Sequence, residues 1–337
     1  MSVIPQGSRI LVTGANGFLG SHIVNQLLLS GYCVRGTVRA EPKSAWLKEY
    51  FSRAYGDGRL EIAIVPDMAA KEAFDQAVKG TSGVVHVASN LTFSEDPNNV
   101  IPETVEGTKN ALTAAETEPL VKRFVFTSSA AAASWPKPNE VFDIDENTWN
   151  TGCVERAWAP PPYESARAWD VYGASKTESE QALWDFARNR SLHFTVNSVL
   201  PNAIWGPIFM PGKQNASSAG FITGIYENGL KGLEMIPPQH HCDVRDAARL
   251  HVAALIDPDV KNERIFAYGY PYNWNLVLSI LRKLSPNHQF PEDMKDDSKD
   301  VSRILRRGRA EEILRKNFGC GFTTVEETVK ANVAHLL

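Results

Sequence analysis

Three glycines spaced three residues apart lie between a short apolar run and an amphipathic segment near the start of the chain. The run Ile10-Leu-Val12 leads into Thr13-Gly-Ala-Asn-Gly-Phe-Leu-Gly20, and apolar residues then recur at helical spacing up to Ser30. In a strand–loop–helix of this kind, Gly14 permits a tight turn, Gly17 lets backbone N–H groups approach a pyrophosphate, and Gly20 allows close packing of helix on strand. The helix N-terminus then faces the anion. The feature predicts a dinucleotide-binding domain.

Apolar runs and helical patterns alternate after this motif. Further buried strands are predicted at residues 33–38, 60–65, 83–87, 123–127 and 193–200. Helices are predicted at residues 44–55, 71–79, 102–116 and 170–190. Because parallel strands need crossover connections, the pattern predicts an α/β fold with a doubly wound parallel sheet of the Rossmann type. We expect a Rossmann domain formed by 8–200 plus 241–270, and a smaller discontinuous C-terminal substrate lobe formed by 201–240 plus 271–337.

Composition argues against anionic macromolecules as partners. The 337 residues include 35 Lys and Arg against 39 Asp and Glu, a formal net charge of -4. There is no basic field to hold a nucleic-acid backbone or an anionic membrane surface, and no run reaches the roughly 20 apolar residues of a membrane span. In the tract His240-His241-Cys242-Asp243, neighbouring side chains of an extended backbone point to opposite faces, so no metal site is expected. We expect a cytoplasmic protein without nucleic-acid or membrane partners.

The end of the second apolar run indicates which dinucleotide is bound. An acidic residue there would accept from the ribose hydroxyls of NAD and repel a 2′-phosphate, but the sequence reads Gly36-Thr-Val-Arg39, followed by Lys43. Arg39 can stack on adenine and pair with the phosphate, and Lys43 adds a second positive charge. The pattern favours NADPH or NADP, with two ordinary solvated cations as the alternative. Asp67, after the third run, suits either the adenine amino group or a helix N-cap.

Three residues are candidates for catalysis. The segment Tyr172-Gly-Ala-Ser-Lys176 places a phenol and an ammonium four residues apart, on one face of a helix. A nearby ammonium and a cationic oxidised nicotinamide would lower the pKa of the phenol, whose ordinary value of about 10 suits proton transfer at neutral pH poorly. Ser129 follows the fifth strand, at the edge where open parallel sheets bind their ligands. The three predict acid–base chemistry beside a nicotinamide.

Five motifs together resemble the extended short-chain dehydrogenase/reductase superfamily. They are the glycine motif at 13–20, His86-Val-Ala-Ser89, Arg123-Phe-Val-Phe-Thr-Ser-Ser129, the Tyr172 to Lys176 segment, and Leu200-Pro-Asn202. From Arg9 to about residue 330, the chain is similar to the branch that contains fungal NADPH-dependent aldehyde and ketone reductases, methylglyoxal reductases and plant dihydroflavonol reductases.

The resemblance implies roles for individual residues. Ser129 matches the catalytic serine, Tyr172 the general acid and Lys176 its activator. The cofactor-binding residues that it implies are Gly14, Asn16, Gly17, Phe18 and Leu19 at the pyrophosphate, Arg39 and Lys43 at the 2′-phosphate, Asp67, Met68, Ala88 and Ser89 around adenine and ribose, and Thr127, Ser128, Tyr172, Lys176, Pro201 and Asn202 towards the nicotinamide.

Substrate recognition is expected from the second lobe and from the segment at 134–162, which is rich in proline and tryptophan. Candidates for an apolar pocket are Phe93, Trp135, Trp205, Ile236 and Gln239, each of which also suits core or surface. The resemblance implies reduction of a small-molecule aldehyde or ketone to an alcohol by a monomer or homodimer. Two alternatives stay open: a sugar-nucleotide epimerase or dehydratase that retains NAD, and a non-catalytic NADP-binding sensor.

Overall fold

The computed structural model describes residues 2–337, within which the chain forms twelve strands and eleven α-helices. The strands are β1 (Arg9–Val12), β2 (Cys33–Val38), β3 (Leu60–Ile64), β4 (Gly83–His86), β5 (Arg123–Thr127), β6 (Asp143–Ile144), β7 (Thr195–Pro201), β8 (Ala203–Trp205), β9 (Gln239–Asp243), β10 (Arg264–Ala267), β11 (Pro271–Tyr272) and β12 (Arg303–Ile304). The helices are α1 (Phe18–Leu29), α2 (Ala45–Tyr55), α3 (Asp75–Val78), α4 (Ile101–Thr117), α5 (Thr151–Ala157), α6 (Arg167–Asn189), α7 (Ala219–Asn228), α8 (Val244–Ile256), α9 (Trp274–Leu284), α10 (Arg307–Phe318) and α11 (Val325–Val333).

Seven parallel strands form the central sheet in the order β10-β7-β5-β4-β1-β2-β3. Strands β4, β5 and β10 are buried along their whole length, as expected of strands covered on both faces. One face packs on α1 and α8, and the other on α4 and α6. The predicted doubly wound sheet is confirmed. The next two strands after β1 in sequence, β2 and β3, lie on one side of it, and the strands of this sheet that follow β4 lie on the other side of β4. At such a reversal of strand order, a crevice opens at the carboxyl ends of the two adjacent strands, here β1 and β4.

Outside the central sheet, the region expected to form the second lobe contains a small sheet and an apolar core of its own. Strand β9 pairs in parallel with β8 and antiparallel with β11. Its core contains Trp205, Tyr272 and Trp274 together with apolar residues of α7, α9 and α11. Helix α10 packs elsewhere than the expected domain boundaries imply. Its residues Ala310, Ile313 and Leu314 belong to the core around α1 and α8. Helix α10 therefore lies on the Rossmann domain although it falls within 271–337.

A two-stranded parallel sheet joins residues that are distant in the chain. Arg303 pairs with Asp143 and Ile304 with Ile144 in the register of β12 and β6. The Arg303 guanidinium also donates to both carboxylate oxygens of Asp143, at 2.6 and 3.0 Å. The C-terminal segment is thereby fixed beside the loop that follows β5.

The helix expected over residues 71–79 is reduced to the four residues of α3. Glu72 has a φ of 62°, in the left-handed region that interrupts a right-handed helix. Residues 71–74 form turns instead. Among residues 2–337, no helix combines the length and the apolar character needed to cross a membrane.

Candidate active site

The glycine loop between β1 and α1 is tight enough to require glycine at two positions. Gly14 has a φ of +64°, and a Cβ on Gly20 would lie 2.2 Å from the Gly14 carbonyl oxygen. Helix α1 begins at Phe18 with no side-chain cap and no acidic residue in its first turn. Its first amides are therefore free to meet a negatively charged group, and the loop fits a dinucleotide pyrophosphate.

Thr13 fixes the loop to the neighbouring strand. Its hydroxyl accepts hydrogen bonds from the backbone N–H groups of Val87 and Ala88 at 2.9 and 3.0 Å. The segment after β4 is thus held close to Gly14, whose Cβ, if present, would lie 3.1 Å from the Ala88 backbone. This approach explains why two motifs that are about 70 residues apart in sequence line one site.

One continuous cleft of about 1230 Å³ runs from the glycine loop across the sheet edge to the second lobe. Its walls include most of the residues that the sequence identified. They are Gly14, Asn16, Gly17, Phe18, Leu19, Arg39, Lys43, Met68, Ala88, Ser89, Phe93, Thr127, Ser128, Ser129, Trp135, Tyr172, Lys176, Pro201, Asn202, Ile236 and Gln239.

Two of the sequence candidates do not line this cleft. Trp205 is fully buried and packs on Tyr272, with ring centroids 4.2 Å apart, so it belongs to the core of the second lobe. Asp67 is exposed, and its carboxylate accepts from the backbone N–H of Ala69 at 2.8 Å within a turn, so it caps no helix either. The sequence could not separate these positions because a core tryptophan and a pocket tryptophan have the same local pattern.

Arg39 and Lys43 lie at the end of the cleft beside the carboxyl end of β2. Both side chains are exposed, and the Lys43 carbonyl accepts from the Asn16 amide at 3.4 Å, which links this segment to the glycine loop. The nearby Glu41 is directed to Lys48, at 3.8 Å. The two cations beside the loop give this end of the cleft the charge that a 2′-phosphate requires.

The three catalytic candidates meet in the middle of the cleft. Tyr172 and Lys176 lie one turn apart on α6, and Ser129 lies just beyond β5. The Tyr172 hydroxyl donates to Ser129 Oγ at 3.3 Å, and Lys176 Nζ donates to the Thr127 carbonyl at 3.2 Å. The phenol is therefore fixed to the serine and the ammonium to the end of the strand.

Burial controls the protonation of this group. It lowers the pKa of Lys176 to about 8, against the opposing effect of the Glu180 charge. Burial also raises the pKa of Tyr172, partly offset by the hydrogen bond with Ser129. Burial sets the net direction of this shift, whereas the Lys176 ammonium together with an oxidised nicotinamide is expected to favour the phenolate. The phenol is therefore neutral at physiological pH and carries the proton that an acid must donate.

A buried ion pair supports the group from behind. Glu180, one turn after Lys176 and fully buried, accepts from Arg264 Nε at 2.9 Å and from the hydroxyls of Ser128 and Ser198 at 2.8 and 2.6 Å. The Ser128 hydroxyl is thus turned into the protein rather than towards the cleft. Glu180 thus links helix α6 with β7, with β10 and with the residue that directly follows β5.

Aromatic side chains cover Tyr172, the candidate general acid. Phe93 stacks on the Tyr172 ring with centroids 5.3 Å apart, and Trp169 meets Phe93 edge-on at 5.2 Å. Phe93 has a φ of 52°, an unusual conformation for a bulky residue, and remains 41% exposed. Trp169 also lines the cleft and was missed from the sequence, although it lies three residues before Tyr172 on the same helix.

The far wall contains polar residues that the sequence did not single out. Tyr268, Tyr272, Asp300 and Ser302 line the same cleft as Tyr172. They come from the end of β10, from β11 and from the segment before β12. No local motif marks them, since their proximity depends on the pairing of β12 with β6 and on the packing of the lobe.

Comparison with known proteins gives a consistent set of relatives. The profile of the family described as "NAD dependent epimerase/dehydratase family" matches residues 10–269. The chain is 40% identical over 331 residues to "Aldehyde reductase 2" of Sporidiobolus salmonicolor, covering 98% of this chain and 96% of the relative. It is 37% identical over 337 residues to "Ketoreductase adrE" of Penicillium rubens, covering 98% and 97% of the two chains.

A solved structure agrees over the whole chain. The crystal structure of Gre2 in complex with NADPH from Candida albicans has a TM-score of 0.84 and 27% identity, and covers 98% of each chain. The match to the family profile over most of the chain, and the full-length similarity to the reductases, agree with the motifs. The chain therefore belongs to the NAD dependent epimerase/dehydratase family, within the extended short-chain dehydrogenase/reductase superfamily.

Proposed function

We propose that the protein reduces aldehydes and ketones to alcohols with NADPH as the cofactor. The observation that carries the proposal is the contact of the Tyr172 hydroxyl with Ser129 Oγ at 3.3 Å, next to Lys176 and in the same cleft as the glycine loop. Relatives named aldehyde reductase and ketoreductase, and a similar fold solved with NADPH, support this assignment. Arg39 and Lys43 would bind the 2′-phosphate.

The residues around the carbonyl would perform the proton chemistry. A bound NADPH supplies the hydride that forms the new C–H bond at the carbonyl carbon. Ser129 and Tyr172 would hold the carbonyl oxygen by hydrogen bonds, and Tyr172 would transfer its proton to that oxygen as negative charge develops there. Lys176 in its charged form stabilises the phenolate that remains. Phe93, which stacks on the Tyr172 ring, would limit the access of competing water to the proton.

The direct test is oxidation of NADPH and of NADH, followed by absorbance, with a panel of aryl ketones, keto esters and simple aldehydes. We expect turnover with NADPH, and Tyr172→Phe should abolish it while binding of NADPH is retained. Tyr226→Phe, which removes a phenol of the second lobe that bonds Ser285, is the matched control.

The other outcomes would refute the proposal, favour one of the two alternatives or reassign the proton donor. A panel without turnover would refute the proposal. Tightly bound NAD in the purified protein would favour an epimerase or dehydratase, and NADP binding without any reaction would favour a sensor. Unaltered turnover by Tyr172→Phe would show that another group supplies the proton.

A further inference from the structure

The cleft continues past the catalytic residues to a wall of polar side chains that the proposed chemistry does not use. We call the residues Gln239, Tyr268, Tyr272, Asp300 and Ser302 the polar wall. They are contributed by the second lobe and by the segments after β10 and before β12. This wall contrasts with the aromatic cover over Tyr172, so one cleft offers two different surfaces to a ligand.

The polar wall is adjacent to the catalytic residues. Tyr268 packs in one apolar cluster with Ala130 and Ala133, in the turn that directly follows Ser129. The same cluster contains Leu200, next to Pro201 and Asn202 of the cleft. A substrate whose carbonyl oxygen meets Ser129 would therefore extend along the same cleft towards Tyr268.

The Tyr268 hydroxyl has an unused hydrogen-bond donor. The residue is only 2% exposed, yet it lines the cleft. Burial, and after it the negative charge of Asp300, raise the pKa of Tyr268, so the phenol stays neutral. The hydroxyl is not among the fully enclosed, unpartnered polar atoms of residues 2–337, although the residue lines the cleft. The hydroxyl therefore opens on the cleft, where a ligand can accept from it.

Asp300 provides a fixed acceptor close to this donor. His240 Nδ1 lies 2.8 Å from one carboxylate oxygen, and the backbone N–H and hydroxyl of Ser302 donate to the other at 2.9 and 2.6 Å. Burial would raise the pKa of Asp300, but the hydrogen bonds from His240 and Ser302 outweigh it and keep the carboxyl ionised. The His240 ring in turn lies beside that of Tyr268, with centroids 5.5 Å apart. A carboxylate oxygen retains lone pairs after one hydrogen bond, so Asp300 can accept from a ligand as well.

From this arrangement we infer that the polar wall binds a hydroxyl group of the substrate, which accepts from Tyr268 and donates to Asp300. The substrates would thus be hydroxyketones or hydroxyaldehydes, in which the reacting carbonyl lies at Ser129 and Tyr172 and the hydroxyl lies at the wall. A hydroxyl is the group that satisfies a donor and an acceptor together, whereas an ester or ether oxygen only accepts. The inference rests on the proposed reduction and specifies its substrate class.

The test compares ketones that differ only by a hydroxyl in place of a methyl group. The pairs are 4-hydroxy-2-butanone with 2-pentanone, and 6-hydroxy-2-hexanone with 2-heptanone, which also vary the distance between the two groups. We expect the wild type to favour at least one hydroxyketone over its partner. Tyr268→Phe should lower kcat/KM for that hydroxyketone by about tenfold, because one hydrogen bond is lost. The kcat/KM for the simple ketone should stay within about twofold of the wild-type value. Tyr226→Phe should change neither value.

The other outcomes would overturn the inference. If Tyr268→Phe lowers kcat/KM equally for both members of a pair, the phenol supports the fold or the catalytic geometry and not a substrate hydroxyl. If it weakens NADPH binding measured without substrate, the phenol contacts the cofactor. If the wild type reduces simple ketones and hydroxyketones equally well, only the hydroxyl subsite is refuted. If it reduces no carbonyl compound, the proposed function itself fails and the subsite fails with it.

Discussion

Replacement of Glu180, the buried carboxylate behind Lys176, tests how the proposed catalytic residues are supported. Glu180→Gln keeps the size of the side chain but removes its charge, and leaves the guanidinium of Arg264, only 5% exposed, without a counter-ion. Removing one partner of a buried ion pair costs about 3–5 kcal/mol. We expect the lower end, about 3 kcal/mol, because Gln retains an oxygen that accepts from Ser128 or Ser198.

The loss should be measurable as a shift in the thermal midpoint. An unfolding entropy of about 2.1 cal/mol/K per residue gives about 0.7 kcal/mol/K for 337 residues, so the midpoint should fall by about 4 °C. Thermal unfolding followed by circular dichroism is the assay. Glu178→Gln is the matched control, because Glu178 lies on the same helix and accepts from the surface Trp158 instead.

The same variant should alter catalysis through Lys176. The Glu180 charge opposes the lowering of the Lys176 pKa, so its removal should shift the alkaline limb of the rate profile to lower pH. A double-mutant cycle with Arg264→Gln should give a coupling energy within about 0.5–3 kcal/mol. A midpoint within 1 °C, roughly a quarter of the expected shift, of that of Glu178→Gln, together with an unchanged rate profile, would refute the supporting role of the ion pair.

Three further results are expected. Arg39→Ala should lower the ratio of kcat/KM for NADPH to that for NADH by about tenfold or more, because a charge-assisted contact with the 2′-phosphate is lost, and an unchanged ratio would contradict this site. The rate of reduction should fall as the pH rises through about 8, the pKa of Lys176, because the ammonium then loses the charge that stabilises the phenolate; a flat profile from pH 7 to about 9 would disagree. Burial lowers the pKa of His22, His86 and His251 to about 4, 3 and 4. Since the unfolded chain binds these protons from about pH 6.5 downward and the folded chain does not, the free energy of unfolding should fall between pH 6.5 and 4, as urea titrations at several pH values would reveal.

The cofactor half of the cleft was largely predictable because its determinants are local. Gly14 and Gly20 satisfy backbone requirements that three or four neighbours create, and the order of strands follows from alternating patterns. The Tyr172 to Lys176 spacing likewise defines one helix face. The helix predicted over 71–79, of which only α3 forms, shows the limit of such patterns. The left-handed backbone of Glu72 interrupts the helix, and nothing in the spacing of apolar residues indicates it.

The substrate half was much less predictable because distant segments build it. Trp205 was expected in the pocket and lies in the core, whereas Tyr268 and Asp300 line the cleft without any motif. The partners of Glu180 come from two strands and from the residue after a third, which helical spacing cannot reveal. In each case the missing information is tertiary packing, which local propensity does not encode.

The pairing of β12 with β6 has a consequence for synthesis, because the cleft cannot be completed until the late segment with β12 has been made. Asp143 and Arg303 are 160 positions apart, so the partner of β6 is made long after the glycine loop and the residues of α6. Domains generally fold from the N-terminal side during synthesis. A nascent chain can therefore possess its glycine loop and Tyr172, the proposed general acid, well before the segment with Asp300 exists. Chains that end before residue 299 would have a binding loop for the cofactor and an open, incomplete chamber for the substrate.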